Sequence, residues 1–221
     1  MVAVTDAVRT EREALVAFLE TLTPEQWATA SLCPGWDVRA VAAHLAWASS
    51  LSLPETLREL VRARGRPNRL VAGTAVRWAQ RSTPAILDQL RRNAEDGVKP
   101  VGMPWGAALL DAVVHGLDVR RPLDAPRILP ADAFRGAADF AAAARWPTSA
   151  LLGGGGHRRV AGLRLVAQDQ DWSTGEGLEV RASADAVLLV LTGRQVGRAE
   201  LAGPGASVLA ARLAQARALT R

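Results

Sequence analysis

The stretch GAALLDAVVHGLDV, residues 106–119, decides the fold because it carries apolar side chains almost all the way round a helix. A helix of that composition is typical of a buried position in a protein core and not of a surface. Trp105 begins the segment and Pro122 ends it, since proline cannot continue a helix. We therefore predict that this helix is the most buried one in the chain.

The buried helix carries three polar side chains on one face. Asp111, His115 and Asp118 are spaced four and three residues apart, so they project in the same direction. An ionised carboxylate in apolar surroundings is costly unless it is paired or binds a cation. A second histidine, His44, lies within another apolar helical segment. His44, Asp111 and His115 together offer a divalent metal two nitrogens and one oxygen, with positions left open for water or substrate. Asp118 would then orient an imidazole or act as a ligand itself.

The same side chains also allow a purely structural interpretation. In that case His44 and His115 are core histidines, and Asp111 and Asp118 form ion pairs with arginines. The arginines considered as partners are Arg39, Arg120 and Arg121. A single D-x-x-x-H pattern on a helix is a weak signal, so the residues alone leave both interpretations open.

Helical patterns fill the first two thirds of the chain. Apolar residues at three- and four-residue spacings predict helices over residues 6–21, 37–51 and 130–145. The sequence TPEQ at residues 23–26 is a capping box that begins a short helix, and Asp37 caps the helix that carries His44. Between residues 54 and 96 we expect one or two further helices, with breaks at 65–67 and 82–84.

The pattern changes after residue 147. Four glycines at residues 153–156 form a connection, and alternating apolar residues then predict strands within 160–167 and at 178–181. Ser183 caps a helix that ends near residue 192, and a last helix ends near residue 218. We therefore predict a mainly α protein with a helical domain, residues 1–147, and a small C-terminal α/β domain, residues 148–221.

Composition places the chain among globular proteins with a full core, since 49% of its 221 residues are hydrophobic and 22% are charged. No apolar run reaches the ~18 residues that cross a bilayer. The opening MVAVTDAVRTERE has acids and arginines where a signal peptide needs an apolar segment. We expect no membrane partner and a cytoplasmic location.

The formal net charge of +5 does not predict a nucleic-acid partner. Lys99 is the only lysine, so 27 − 1 = 26 cations are arginines, and they are spread along the chain. Only RELVRARGRPNR, residues 58–69, is locally basic, and it contains no aromatic residue that could stack on a base. We interpret it as a solvated helix face and expect no nucleic acid to bind.

The chain contains one cysteine, Cys33, which excludes an internal disulfide. Its place in a Pro-Gly loop is open to a role as nucleophile, but the sequence identifies no activating base. We therefore expect a packed thiol beside Trp36. The third histidine, His157, follows the four glycines, and we expect it to lie in an exposed loop.

Three blocks of sequence, in this order, resemble the mycothiol-dependent maleylpyruvate isomerase family of the DinB-like superfamily. They are LTPEQWATASLCPGWDVRAVAAHLAW (22–47), LLDAVVHGLDVRRPL (109–123), and GLRLVAQDQDWSTGEGLEVRASADAVLLVLTGR with ELAGPG (162–205). The resemblance spans nearly the whole chain. It implies a metal-binding four-helix bundle followed by a small C-terminal domain.

The resemblance also implies a site. It assigns a divalent metal, usually zinc, to His44, Asp111 and His115, with Asp111 where the family's isomerases have Glu. It implies mycothiol as the thiol cofactor and an arginine of the C-terminal domain near the active site, for which Arg194 is the nearest candidate. Arg194 is thus our candidate catalytic residue, and Arg39 and Arg194 are our candidates for binding the cofactor.

Two functions follow as expectations. The first is a metal- and mycothiol-dependent isomerase or S-transferase that acts on a small electrophilic substrate. The alternative is a non-catalytic metal-binding protein in which the bundle is a scaffold or a regulatory module. The expected partners are a small-molecule substrate and the thiol, and a homodimer is compatible with either function.

Overall fold

The computed structural model describes residues 3–145, 148–151 and 155–218, and it is mainly helical. Contacts divide the chain into two compact units, residues 1–127 and 128–221. No helix in the described part of the chain is long and apolar enough to cross a membrane.

The first unit consists of helices joined by short loops. They are α1 (Val4–Glu20), α2 (Pro24–Trp27), α3 (Val38–Ala48), α4 (Leu53–Arg62), α5 (Pro67–Trp78), α6 (Thr83–Glu95) and α7 (Trp105–Arg120), followed by a 3₁₀ turn (Arg121–Leu123).

Four of these helices form the bundle. Helix α1 packs against α6 and α7, and α3 packs against the same two helices, so each of the four contacts two neighbours. Apolar side chains of α1, α3 and α6 fill the space between them; examples are Leu19, Val41 and Ile86, each at most 1% exposed. Eleven of the sixteen residues of α7 are buried, in keeping with a helix that is apolar nearly all round. The prediction that it is the most buried helix was wrong, because nine of the eleven residues of α3 are buried.

Local sequence signals set where the helices begin. The side chain of Thr23 accepts a hydrogen bond from the Gln26 N–H, and the Gln26 side chain accepts one from the Thr23 N–H, so the predicted capping box is confirmed. Asp37 accepts from the Ala40 N–H at 2.7 Å and begins α3 as predicted. That helix ends at Ala48, three residues earlier than expected.

The segment between α3 and α7 contains more helices than the sequence predicted. We expected one or two helices, but the two predicted breaks separate three, which are α4, α5 and α6. The arginines of the basic stretch are exposed where their side chains are described, and Arg62 pairs with the buried Glu59. This agrees with a solvated helix face.

The second unit combines helices with a small sheet. Its elements are α8 (Ala131–Ala143), α9 (Thr148–Leu151), α10 (Gly156–Arg159), β1 (Leu163–Ala167), β2 (Trp172–Thr174), β3 (Leu178–Ala182), α11 (Ala184–Leu191), a 3₁₀ turn (Arg198–Glu200) and α12 (Ala206–Ala218). The strand order is β2-β1-β3. Strand β1 pairs antiparallel with β2, opposing Leu165 to Thr174, and parallel with β3, opposing Leu165 to Val180.

The predicted strands and both C-terminal helices are confirmed, but β2 was not foreseen within a turn-rich segment. Gly177 explains how that segment closes. Its φ is +117°, and a Cβ there would lie 2.3 Å from the Gly162 carbonyl oxygen, so only glycine fits. Helix α8 packs against α10 and α11 and thus lies in the second unit. The domain boundary at residue 147 stays a prediction.

A buried ion pair ties α1 to the end of the first unit. Glu11 is 3% exposed, and both of its carboxylate oxygens accept hydrogen bonds from the guanidinium of Arg127. Removing one partner of such a pair leaves an uncompensated buried charge. We predict that Arg127→Met lowers the free energy of unfolding by about 3–5 kcal/mol, measured by urea denaturation.

The matched control is Arg91→Met. Arg91 makes an ion pair with Glu20 in which both side chains are about two-fifths exposed, and such pairs contribute little. Equal loss of stability in the two variants would contradict the importance of the buried pair.

Candidate metal centre

The bundle brings together the three residues that the sequence proposed as ligands. His44 projects from α3, and Asp111 and His115 project from neighbouring turns of α7. The Oδ1 atom of Asp111 lies 3.5 Å from Nε2 of His44 and 3.4 Å from Nε2 of His115. One ligand atom from each residue lies within 4.8 Å of the others. The packing of α3 on α7 produces this convergence.

The electrostatics of Asp111 follow from its two imidazole neighbours. Burial acts to raise the pKa of Asp111, but hydrogen bonds and charge interactions with His115 and His44 outweigh it and hold that pKa well below its usual range. The Asp111 side chain is 29% exposed, whereas those of His44 and His115 are 8% and 11% exposed. The site is therefore open to solvent on the carboxylate side.

Asp118 contacts the imidazole of His115 at Nδ1, the ring nitrogen that does not face Asp111. Its side chain is fully buried, and its Oδ2 atom lies 2.8 Å from Nδ1 of His115. This contact directs Nε2 of the same ring towards Asp111. Burial acts to lower the pKa of His115, but electrostatic interaction with Cys33 and the hydrogen bonds to Asp111, Asp118 and Cys33 raise it well above its ordinary value.

His44 is enclosed by aromatic rings. Its ring centroid lies 5.3 Å from that of Trp36, 6.1 Å from that of Trp47 and 5.0 Å from that of His115. Its Nδ1 atom is buried and has no hydrogen-bond partner within the described ranges. With Nε2 facing Asp111, the ring points its other nitrogen into the core.

This donor set fits a divalent metal. Two imidazole nitrogens and one carboxylate oxygen are the ligand types of open zinc sites, which keep a further position for water or substrate. The carboxylate behind His115 is the usual outer partner of a metal-binding histidine. The structural interpretation required Asp111 to pair with an arginine. In the described part of the chain its close ion contacts are with His44 and His115.

Two of the three arginines of that structural interpretation make hydrogen bonds elsewhere in the first unit. Arg39 donates to the Arg81 carbonyl oxygen at 3.1 Å and to Oγ1 of Thr83 at 2.7 Å. Arg120 donates to the Ala14 carbonyl oxygen at 3.0 Å. The cofactor-binding role suggested for Arg39 stays a prediction.

Arg194 lies in the second unit, in the turn after α11. Its guanidinium donates to the Thr192 carbonyl oxygen at 3.3 Å, and it has further interactions. The catalytic and cofactor-binding roles suggested for Arg194 stay predictions. We expected His157 in an exposed loop, and this was wrong. It lies half-buried in α10, and its Nδ1 atom is buried.

Cys33 is the residue that sequence analysis undervalued. Its Sγ atom lies 3.1 Å from Oδ2 of Asp118 and 3.7 Å from Nδ1 of His115, so it contacts the histidine side of the site and does not simply pack beside Trp36. The signal available in the sequence was the position of CPGW directly before the cap of the helix that carries His44. The contact itself depends on tertiary packing.

Arg12 was also missed. From α1 it donates to the carbonyl oxygens of Asn93 at 2.9 Å and Val98 at 2.6 Å, and to Oγ of Ser49 at 2.8 Å. Burial lowers the pKa of Arg12, and the charge of Asp111 partly opposes that change. The charges of Arg12 and Asp111 therefore interact, and only the position of Arg12 on an amphipathic helix was visible in the sequence.

Comparisons with known proteins agree with this architecture. Two solved structures, of the mycothiol-dependent maleylpyruvate isomerase and of an alanine mutant of it, are similar to this chain, with TM-scores of 0.54 and 0.57. Each is 12% identical in sequence and covers 92% of this chain and 92% of its own. At that identity the likeness establishes the fold alone. No curated protein sequence matches the chain at a significant level.

The sequence also places the chain in a protein family. The sequence model of the mycothiol maleylpyruvate isomerase N-terminal domain matches residues 8–120, which is more than half of the chain. The match includes both α3 and α7 and so all three candidate ligands. The chain therefore belongs to the mycothiol maleylpyruvate isomerase N-terminal domain family.

Proposed function

We propose that this protein is a metal-dependent isomerase or S-transferase that uses a low-molecular-weight thiol, mycothiol, on a small electrophilic substrate. The metal is a divalent ion, and zinc is the ion that the ligand set suits best. Mycothiol is the thiol named for the family and for both similar structures. A cytoplasmic location, where such thiols are kept reduced, is part of the proposal.

The convergence of His44, Asp111 and His115 is the observation that carries the proposal. Two histidines and one carboxylate, contributed by two helices, surround one point in a bundle whose core is mainly apolar. A plain core would have no use for a carboxylate held between two imidazoles, because an apolar group costs less to bury there.

Each side chain has a definite task in this proposal. His44 and His115 present Nε2 to the ion, and Asp111 presents Oδ1 between them. When bound, the metal stabilises the thiolate form of a thiol at neutral pH and so supplies a strong nucleophile. Trp36 and Trp47 cover His44 and keep water from that side of the ligand set.

Addition of the thiolate to a carbon–carbon double bond, rotation and elimination would isomerise a cis double bond. Addition without elimination would be an S-transfer. Both reactions draw their nucleophile from the cofactor, so the protein needs no nucleophile of its own. The positive charge of Arg12, which interacts with that of Asp111, and the partial exposure of the Asp111 side chain suit an electron-rich ligand approaching from solvent.

The ligand assignment predicts the behaviour of two alanine variants. His44→Ala and His115→Ala are each expected to weaken zinc binding more than roughly 100-fold, because a first ligand matters more than an outer partner. Both variants stay folded, since the bundle buries its own core. Elemental analysis of purified protein and chelator competition measure the effect.

The third histidine provides the matched control. His157 lies in the second unit, so His157→Ala is expected to bind about one zinc ion per chain, as the wild type does. Wild-type protein that contains no metal, and whose melting temperature neither zinc nor nickel raises, would contradict the proposed function.

A conservative change of the carboxylate separates a metal ligand from a packed side chain. The isomerases that this chain resembles have Glu where this chain has Asp111, so Asp111→Glu is expected to bind zinc at least as tightly as the wild type. A tightly packed carboxylate without a metal would resist the extra methylene and lose stability. Zinc titration and thermal melting of the same sample distinguish the two outcomes.

The thiol is tested in the cobalt-substituted protein. Mycothiol is expected to add a sulfur-to-cobalt charge-transfer band to the absorption spectrum, and His44→Ala is expected to remove this response. If no thiol binds at millimolar concentration, the non-catalytic alternative gains support. Thiol binding without turnover of maleylpyruvate would rule out the isomerase function and leave the S-transferase function as the proposal.

A further inference from the structure

The buried carboxylate of Asp118 has a second donor besides His115. Cys33 Sγ donates to Oδ2 of Asp118 at 3.1 Å, and Nδ1 of His115 lies 2.8 Å from the same oxygen. The backbone supports the arrangement, because the Leu32 N–H donates to the Asp118 carbonyl oxygen at 3.1 Å. Side chain and main chain of Asp118 are thus both attached to the loop before α3.

That loop is closed on itself. Oγ of Ser31 donates to the Trp36 carbonyl oxygen at 2.9 Å and accepts from the Cys33 N–H at 3.1 Å. The Trp36 N–H donates to the Cys33 carbonyl oxygen at 3.0 Å. Gly35, at φ +77°, provides the left-handed residue that such a turn requires.

The closed loop touches His115 on two sides. Trp36 stacks on the face of the imidazole, with ring centroids 6.3 Å apart and planes inclined by 27°. Cys33 lies at the Nδ1 edge, 3.7 Å from that atom, next to Asp118. The edge of the ring that carries Nε2 is left facing Asp111.

We infer that residues 32–36 clamp His115, and that Cys33 and Asp118 are positioning residues which hold its Nε2 atom in place for the metal. This inference rests on the proposed function, because it concerns the same ligand set. Cys33 acts through Asp118: its S–H group fixes the carboxylate, and the carboxylate fixes the imidazole. No chemistry of the thiol is involved.

The first test measures zinc affinity by chelator competition in three variants, one at Asp118 and two at Cys33. Asp118→Asn is expected to bind zinc roughly 10–100-fold more weakly, the usual effect of removing an outer carboxylate. Cys33→Ala is expected to weaken binding about fivefold, which corresponds to one modest hydrogen bond. Cys33→Ser restores a donor and is expected to return the affinity to the wild-type value.

Glu59→Gln is the matched control for general damage. Glu59 is another buried carboxylate of the first unit, hydrogen-bonded to Arg62 and Arg77 and distant in sequence from the clamp. It is expected to lose stability without losing zinc affinity. If Asp118→Asn behaves in the same way, its role is only structural and the inference is overturned.

Alkylation gives a second test that needs no mutation of the core. Cys33 is the only cysteine, is partly exposed and lines an open cleft of about 470 Å³. Iodoacetamide therefore modifies this position alone, and the added group displaces the thiol from Asp118. Modified wild type is expected to bind zinc at least as weakly as Cys33→Ala, while Cys33→Ser is unaffected by the reagent. Unchanged affinity after complete modification would overturn the inference.

Cobalt absorption tests the competing arrangement, in which Cys33, His115 and Asp118 themselves hold an ion. Without added thiol, the cobalt protein is expected to show no sulfur-to-cobalt band. A band that disappears in Cys33→Ser would make Cys33 a ligand and overturn the inference. Wild type that binds no metal would overturn the proposed function as well, whereas wild-type binding with unaffected clamp variants would overturn the clamp alone.

Discussion

The hydrogen bond between His115 and the buried carboxylate of Asp118 is the contact on which the rest of the site depends. At 2.8 Å it occupies Nδ1 of the imidazole and leaves Nε2 to face Asp111. A carboxylate with no exposed surface must be satisfied by protein donors, because water cannot reach it. The orientation of His115 is therefore fixed by the cost of burying Asp118, before any ligand is considered.

The helical bundle turns that orientation into a three-residue site. Helix α7 places Asp111 and His115 four residues apart, on adjacent turns of one face. Helix α3 packs against it and contributes His44 at the same level. Side chains mounted on packed helices are held more precisely than side chains on loops, because the helices cannot move without disturbing the core.

Two buried glutamates of the first unit differ from Asp111 in their partners. Glu11 is matched by Arg127, and Glu59 by Arg62 and Arg77, so each has a permanent cation. Asp111 instead lies between two imidazoles, whose neutral forms are the ones that bind a metal. Its histidine partners are the reason why we propose Asp111 as a metal ligand and not as one half of a structural ion pair.

The sequence by itself determined most of the secondary structure and the identity of the candidate ligands. Apolar periodicity and caps at Thr23, Asp37 and Ser183 placed the helices, since these signals act within a few residues. The four-residue spacing of Asp111 and His115 placed both on one face. The place of His44 within a second apolar helical segment added it to the set, and the family resemblance implied the same residue. The extra helix between residues 53 and 95 and strand β2 escaped because short elements depend on packing as much as on local preference.

Only the tertiary structure decided which side chains meet. The approach of His44 to Asp111 spans 67 positions and that of Cys33 to Asp118 spans 85, and no local pattern encodes such distances. The sequence left the acids open to pairing with Arg39, Arg120 or Arg121, but the packing of α3 on α7 placed His44 against Asp111, which already had His115 one turn away on its own helix. The neighbours of Cys33 could not be seen in the sequence because they are His115 and Asp118, more than 80 positions later in the chain. They come into contact with Cys33 only when the loop before α3 packs against α7.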